Sequence, residues 1–210
     1  MTGLGLRNVG FVGSRYSPLT SLTFINSAVS SGNVTIPAES QPGDIIVYVM
    51  STPTSATALP AIGSYIGLQE STASGSYRIA YRVLDNSDIA GSTTIANTQQ
   101  IVLMLFRPNG IIRTVTSSSF SSQLTTAAPN NQILPALTVT SPVISLAHYR
   151  CSAAIGTRGS SQTMTEILGP ATTMYLKYRV DNPVSSLASN TISQSDNGTN
   201  FLQSLHITVA

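Results

Sequence analysis

Apolar positions along the chain recur mainly at a spacing of two, or in short unbroken runs, and both patterns belong to β-strands. Asp44-Ile45-Ile46-Val47-Tyr48-Val49-Met50 is a β-branched apolar run entered through Pro42-Gly43, which predicts a core strand after a turn. Tyr77 to Val83 alternates, with Tyr77, Ile79, Tyr81 and Val83 on one side and Arg78, Ala80 and Arg82 on the other, which predicts a half-buried strand. Similar patterns predict strands at 33–36, 92–96, 100–107, 111–116, 143–149, 174–180, 189–194 and 202–209. No segment joins a 3.6-residue apolar period with Ala, Glu, Lys and Leu at the polar positions, and only Asp85 to Ala90 predicts a single helical turn. Asn109-Gly110 and Asn197-Gly198 lie between apolar runs and are candidate hairpin turns. The fold class is all-β.

The chain also resembles itself. Ile36-Pro37 followed by Ile45 to Val49 has a counterpart in Leu134-Pro135 followed by Val143 to Ala147, both at an offset of 98 residues. Tyr81-Arg82-Val83 recurs as Tyr178-Arg179-Val180, and Ser92 to Ile95 as Ser189 to Ile192, at an offset of 97. Leu103-Met104-Leu105 stands more loosely opposite Leu205-His206-Ile207. Ordered matches at a nearly constant offset indicate duplication. Each half supplies too few strands to hide its own apolar face, so two halves closing on each other are expected to form one pseudo-two-fold, jelly-roll-like β-sandwich, with two tandem sandwiches as the alternative. The sandwich is expected over 26–210, as halves 26–113 and 114–210. Residues 1–25 are expected to form an extended N-terminal arm, because Gly3, Gly5, Gly10 and Gly13 make ordering costly on the isolated chain. Leu4, Leu6, Val9, Phe11 and Val12 would gain by docking on a neighbour.

Composition sharpens the surface. Only 9% of residues are charged, against about 25% in an average domain. Exposed positions must therefore be rich in hydroxyls and amides. A net charge of +2 and nine scattered arginines leave no basic tract, so no nucleic acid partner is expected. Cys151 is alone, which excludes an intramolecular disulfide and a zinc site built on Cys spacing; it reads as a small buried hydrophobe. No apolar run approaches the roughly 20 residues of a membrane helix, and the N-terminus lacks a signal-peptide pattern, so synthesis in the cytoplasm without a membrane partner is expected.

Candidate chemistry is sparse. Pro42-Gly43-Asp44 fits a turn whose Asp bonds backbone amides. Asp85-Asn86-Ser87-Asp88 is the densest set of oxygen ligands, but it lacks the spacing of a calcium loop and fits an Asx-turn or helix cap. His148 and His206 fall in predicted strands with no second ligand at metal spacing. Neither a nucleophile elbow nor a complete nucleotide fingerprint occurs. No catalytic residue, metal or cofactor is expected. From Thr114 to Tyr149 there is no Asp, Glu, Lys or Arg, although Phe120, Ile133, Leu134, Leu137, Val139 and Val143 fall there. Such a neutral stretch suits burial, either inside the chain or against a partner.

The order Ile36-Pro37-Ala38, Pro42-Gly43-Asp44 with its apolar strand, Pro60, Gly63-Ser64-Tyr65, Tyr77 to Val83, Asp85 and Ser92 to Ile95 resembles β-sandwich modules of tailed-bacteriophage virion proteins. These are head decoration proteins, head spikes or fibre bases, and minor tail proteins. The resemblance covers residues 30–110, and the second half only through the duplication. It departs at Gly63-Ser64-Tyr65, where the family pattern has Gly-Trp and this chain has no Trp. What it implies is a non-enzymatic part of a virus particle, made in the host cytoplasm, homo-oligomeric and contacting other capsid or tail proteins. Expected partner-binding residues are Leu4, Leu6, Arg7, Phe11, Arg15, Tyr16, Tyr65 and Phe120. The alternative is a carbohydrate-binding or host-adhesion module in which Tyr16, Tyr48, Tyr65, Tyr77, Tyr149 and Tyr175 stack on host surface glycans.

Overall fold

The computed structural model describes residues 18–51, 64–71, 77–89, 94–95, 100–125, 130–151, 157–168, 174–195 and 200–210. The first half holds β1 (Leu22–Ser30), β2 (Val34–Thr35), β3 (Ile45–Ser51), β4 (Ile66–Ser71), β5 (Tyr77–Val83), the short helix α1 (Asn86–Ile89), β6 (Thr94–Ile95) and β7 (Gln100–Pro108). The second holds β8 (Val115–Thr125), β9 (Asn130–Leu134), β10 (Leu137–Val139), β11 (Val143–Cys151), β12 (Thr157–Ser160), β13 (Thr165–Leu168), β14 (Met174–Asp181), β15 (Val184–Leu187), β16 (Asn190–Ser195) and β17 (Asn200–Val209).

Two five-stranded antiparallel sheets form the centre, ordered β1-β7-β3-β5-β4 and β13-β14-β11-β17-β8. Read from its other edge, the second is β8-β17-β11-β14-β13, which repeats the order of the first strand for strand. Each half keeps to its own sheet, whereas a jelly roll would interleave them. One apolar core closes the two together: Ile45, Val47, Val49, Met104 and Phe106 from the first sheet pack with Ile144, Leu146, Leu176, Leu205 and Ile207 from the second. The chain is therefore one sandwich and not two.

Registers repeat as well, and they correct one offset. Ile45 pairs with Val83 and Phe106, and Ile144 pairs with Val180 and Ile207. Ile45 thus corresponds to Ile144 and not to Val143, which points the other way into a separate apolar cluster with Val139 and Leu187. A slip of one residue exchanges the faces of a strand, so the match at 98 was one residue short. The recurrence of Tyr81-Arg82-Val83 as Tyr178-Arg179-Val180 is in register, since Tyr81 faces Ile66 as Tyr178 faces Thr165.

The outer faces of both central sheets are covered, which explains why β3 is buried along its whole length. Val34 and Ile36 pack on Ile46, Tyr48, Leu103 and Leu105 outside the first sheet. Leu134 and Ile192, from the small sheet β12-β16-β9, pack on Ala147, Tyr149 and Leu202 outside the second. The apolar residues of the uncharged stretch go largely to this covering: Leu134, Val139 and Val143 are buried, while Ile133 is 60% exposed.

The sandwich starts earlier than the expected boundary at 26. Leu22 is buried and pairs across the sheet with Pro108, so residues 22–25 belong to edge strand β1. The turn at Asn109-Gly110 is not a hairpin, because β7 and β8 lie in different sheets. Gly110 has φ +136°, and a Cβ there would lie 2.7 Å from the Leu19 Cα and the Pro18 carbonyl oxygen, so the chain entering β1 is seated on this crossing. The strands flanking Asn197-Gly198, β16 and β17, also lie in different sheets, and that dipeptide falls outside the described residues.

At one end the interior turns polar. Ser51 stands opposite Tyr77, His148 opposite Gln203, and the Tyr77 and His148 rings are 6.2 Å apart. His148 and Gln203 are fully buried, and the Gln203 amide has no hydrogen-bond partner among the described residues.

Candidate interaction site

Pairing two sheets in this way brings the free edge of one beside the free edge of the other, once on each side of the sandwich. Between β4 and the lead into β8 runs a groove of about 310 Å³, lined by Ile66, Tyr81, Val83, Ile112 and Val115 together with Arg82, Asp85 and Arg113. On the other side Leu22, Phe24, Thr165, Tyr178, Arg179 and Val180 line a groove of about 500 Å³. By the repeat's own registers these are the same place twice: Tyr81 matches Tyr178, Arg82 matches Arg179, Val83 matches Val180, Ile66 matches Thr165, and Val115 matches Leu22. The recurring Tyr-Arg-Val triplet is thus the wall of each groove, with its Tyr packed on the shared core.

The arginine of each triplet is spent inside the chain. Arg82 Nη2 lies 2.6 Å from Asp88 Oδ1, and its Nε donates to Asp88 Oδ2 at 3.0 Å. Asp88 also accepts the Asp85 backbone N–H at 2.8 Å, while Asp85 accepts the Ser87 N–H at 2.7 Å, a reciprocal cap at the start of α1. The expected cap at Asp85-Asn86-Ser87-Asp88 is therefore present. The Ser87 hydrogen bonds hold the Asp85 carboxyl below its ordinary pKa. In the second half Arg179 donates to Asp181 through Nε at 2.8 Å and Nη2 at 2.5 Å.

Asp44 plays the structural part that its turn predicted. It accepts the Gln41 N–H at 2.8 Å and both Nε and Nη2 of Arg107, at 3.0 and 2.9 Å, and it is 2% exposed. Arg107 also donates to the Glu39 carbonyl at 2.7 Å. Asp44→Ala is expected to cost about 2–3 kcal/mol, since it strips three donors of one acceptor and leaves a half-buried guanidinium short of its counter-charge. A urea midpoint within experimental error of the parent would contradict that role.

Of the expected partner-binding residues, Leu4, Leu6, Arg7, Phe11, Arg15 and Tyr16 lie outside the described residues, and Phe120 is placed only as backbone in edge strand β8. Tyr65 is half-buried with its hydroxyl inside; its ring meets Tyr48 edge-on at 4.8 Å, and desolvation drives its pKa upward. It serves the chain's own outer cluster. Tyr48, Tyr77 and Tyr149 are fully buried, and the Arg158 guanidinium covers Tyr175 at 3.6 Å from the ring centroid, so none of these four offers a free ring to a sugar. Tyr81, absent from both sets, is the tyrosine the grooves bring forward. The signal for it was the repeated triplet.

His206 is buried, with Nδ1 2.9 Å from Ser145 Oγ and Nε2 3.3 Å from the Pro135 carbonyl oxygen. Burial holds its pKa down, opposed by the Pro135 carbonyl. Among the described residues no three of His, Cys, Asp and Glu are grouped as metal ligands. No helix among them is long and apolar enough to cross a membrane. The Cys151 side chain lies outside the described residues, although its backbone ends β11. Comparison with protein-family models, with curated proteins and with solved structures gives no match for this chain.

Proposed function

We propose that this chain is a structural protein of a tailed-phage virion, a decoration, spike-base or tail component that works by contact with other virion proteins. The observation that carries this reading is how the charges are used. Arg82, Arg107, Arg158 and Arg179 each pair with a carboxylate of the same chain. Few ionic groups are left over among the described residues, and with only 9% of the chain charged the surface falls to hydroxyls, amides and scattered apolar side chains. A surface of that kind carries little long-range field and adheres by short-range packing, which suits many copies held on a lattice, where weak contacts add. The motif order shared with phage β-sandwich modules supports the same assignment: its Pro-Gly-Asp turn leads into a strand buried along its whole length.

The test is attachment. Purified full chain is mixed with empty heads and with tails of the phage whose genome carries the gene, and bound protein is measured after sedimentation, with and without residues 1–25. Co-sedimentation with one particle type is expected, together with its loss on removing the arm. Absence of binding to either particle overturns the assignment. Unchanged binding without residues 1–25 removes only the arm.

A further inference from the structure

The crossing from the first half to the second is made by an Asn-Gly pair, Asn109-Gly110. A backbone nitrogen attacks the side-chain amide of the asparagine before it when three conditions meet: no side chain crowds the nitrogen, its N–H is not engaged, and the asparagine side chain is free to swing back. Gly110 meets the first because it has no Cβ. It meets the second because its N–H donates to no acceptor among the described residues. Asn109 meets the third, since the residue is exposed and its Nδ2 reaches only Thr20 Oγ1, at 3.4 Å.

Asn26, Asn86, Asn182 and Asn190 each fail a condition. The Asn26 amide donates to Glu39 at 3.2 Å, and its Oδ1 accepts, at 2.8 Å, the very Ser27 N–H that would have to attack. Behind Asn86, the Ser87 N–H is taken by Asp85 at 2.7 Å. Asn182 precedes Pro183, whose nitrogen has no proton to give up. Asn190 is held at Oδ1 by Ser161 and Gln162 and at Nδ2 by Met164.

We propose that Asn109 is a site of self-modification that converts to aspartyl and isoaspartyl forms as the protein ages. The Gly110 nitrogen bonds to Asn109 Cγ, the Cγ–Nδ2 bond breaks, and ammonia leaves with the proton that Gly110 gave up. Nothing is oxidised or reduced. Water then opens the succinimide ring: addition at the Cγ carbonyl gives aspartate, and addition at the α-carbonyl gives isoaspartate, whose backbone runs through the former side chain. Closing the ring turns the Asn109 carbonyl, and the bond this disturbs is the long one from the Thr20 N–H, at 3.3 Å. The shorter bond, from the Asn109 N–H to the Ser21 carbonyl at 2.9 Å, lies on the other side of the Cα.

The product matters because of what this turn holds. Gly110 is seated so closely on Pro18 and Leu19 that a Cβ would not fit. Isoaspartate lengthens the backbone by a methylene just ahead of that seat, and the carbonyl that accepted the Thr20 N–H becomes a free carboxylate. The entry into β1 is loosened from the crossing, and a negative charge is added there.

Ageing the folded full chain in mildly alkaline buffer, then peptide mapping with electron-transfer fragmentation to separate aspartate from isoaspartate, tests this. Position 109 is expected to show the mass change of NH2 to OH about tenfold faster than Asn26, Asn86 or Asn190, or ~1.4 kcal/mol of barrier. Asn109→Gln keeps an amide but would need a larger ring, and is expected to abolish the change. Hydrogen exchange at the Thr20 and Asn109 amides is expected to quicken about tenfold in the aged parent and to stay constant in Asn109→Gln aged alike. Asn109 left intact in the folded chain, or converted only when the chain is unfolded in urea, overturns the proposal. Equal conversion at Asn26, Asn86 and Asn190 overturns it too, because the turn would then add nothing. All measurements use the isolated chain, so their outcome is independent of attachment to particles.

Discussion

Unfolding of this protein in urea is expected to become easier as pH falls from 7 to 5, by about 2 kcal/mol, with His148 as the main cause. The residue sits on β11 inside the sandwich, fully buried, and its pKa is pushed down to about 3 by desolvation first and by the nearby Arg150 charge second. An unfolded imidazole titrates near 6.5, so below that value the unfolded chain takes up a proton that the folded chain refuses. Stability attributable to His148 is therefore complete above about pH 6.5 and drains away as pH falls, reaching a loss of roughly 4 kcal/mol near pH 3, where the folded form at last protonates. His206, also held down by burial, adds a smaller slope of the same sign. His148→Leu removes the titrating group. Urea midpoints at pH 7, 6 and 5 are expected to converge for that variant, and an unchanged slope would show that some other group drives acid unfolding.

Phe106→Ala is expected to cost about 4 kcal/mol, the upper range for a single aromatic truncation in a core. Phe106 is fully buried, paired in register with both Phe24 and Ile45, and its ring stands edge-on to Phe24 at 5.6 Å and to Tyr178 at 6.1 Å. Tyr178 belongs to the opposite sheet, so this one ring ties the two halves together and fixes the wall of the second groove. Truncation leaves a cavity that neither sheet can close without shifting its register. Phe106→Leu, which keeps most of the volume, is expected to cost far less. Denaturant titration checks both. A loss below 1 kcal/mol for the alanine variant would mean that the sheets are not held at this point.

The central strands were legible in the sequence because they are continuous and β-branched: β3, β5, β7, β11, β14 and β17 all fall on predicted runs. The strands that went unseen lie mostly at edges or in the small outer sheets. β8 reads VTSSSFSSQLT, and its hydroxyls hid an 11-residue strand whose backbone, among the described residues, pairs along one side only. β1 breaks its apolar pattern at Asn26, where the ladder with β7 slips. Strands β2, β6 and β16 of the small sheets also fall on predicted runs, but their separation into covering sheets was illegible for another reason. Periodicity records that a face is buried, and Tyr48 or Leu103 looks the same whether it meets a sister sheet or a two-stranded flap. The grooves were half legible: the triplet repeat located them, but that Phe24 lies on Tyr178 in one while Ser117 holds the matching position in the other depends on a register that offsets of 97 and 98 left uncertain by one residue.

The unguarded rim formed by β8 has a consequence for handling. Many proteins keep their outermost strands from stacking with lysines or glutamates, and added salt weakens such a guard. Here none of the residues Val115–Thr125 is ionisable, so salt has little to screen along that line. What deters stacking is shape: between Ser119 and Ser122 the strand gains one residue over its partner, and the kink spoils a straight template. Conditions that flatten or fray that kink, such as heat or mild denaturant, are therefore the ones to avoid in storage, whatever the buffer strength.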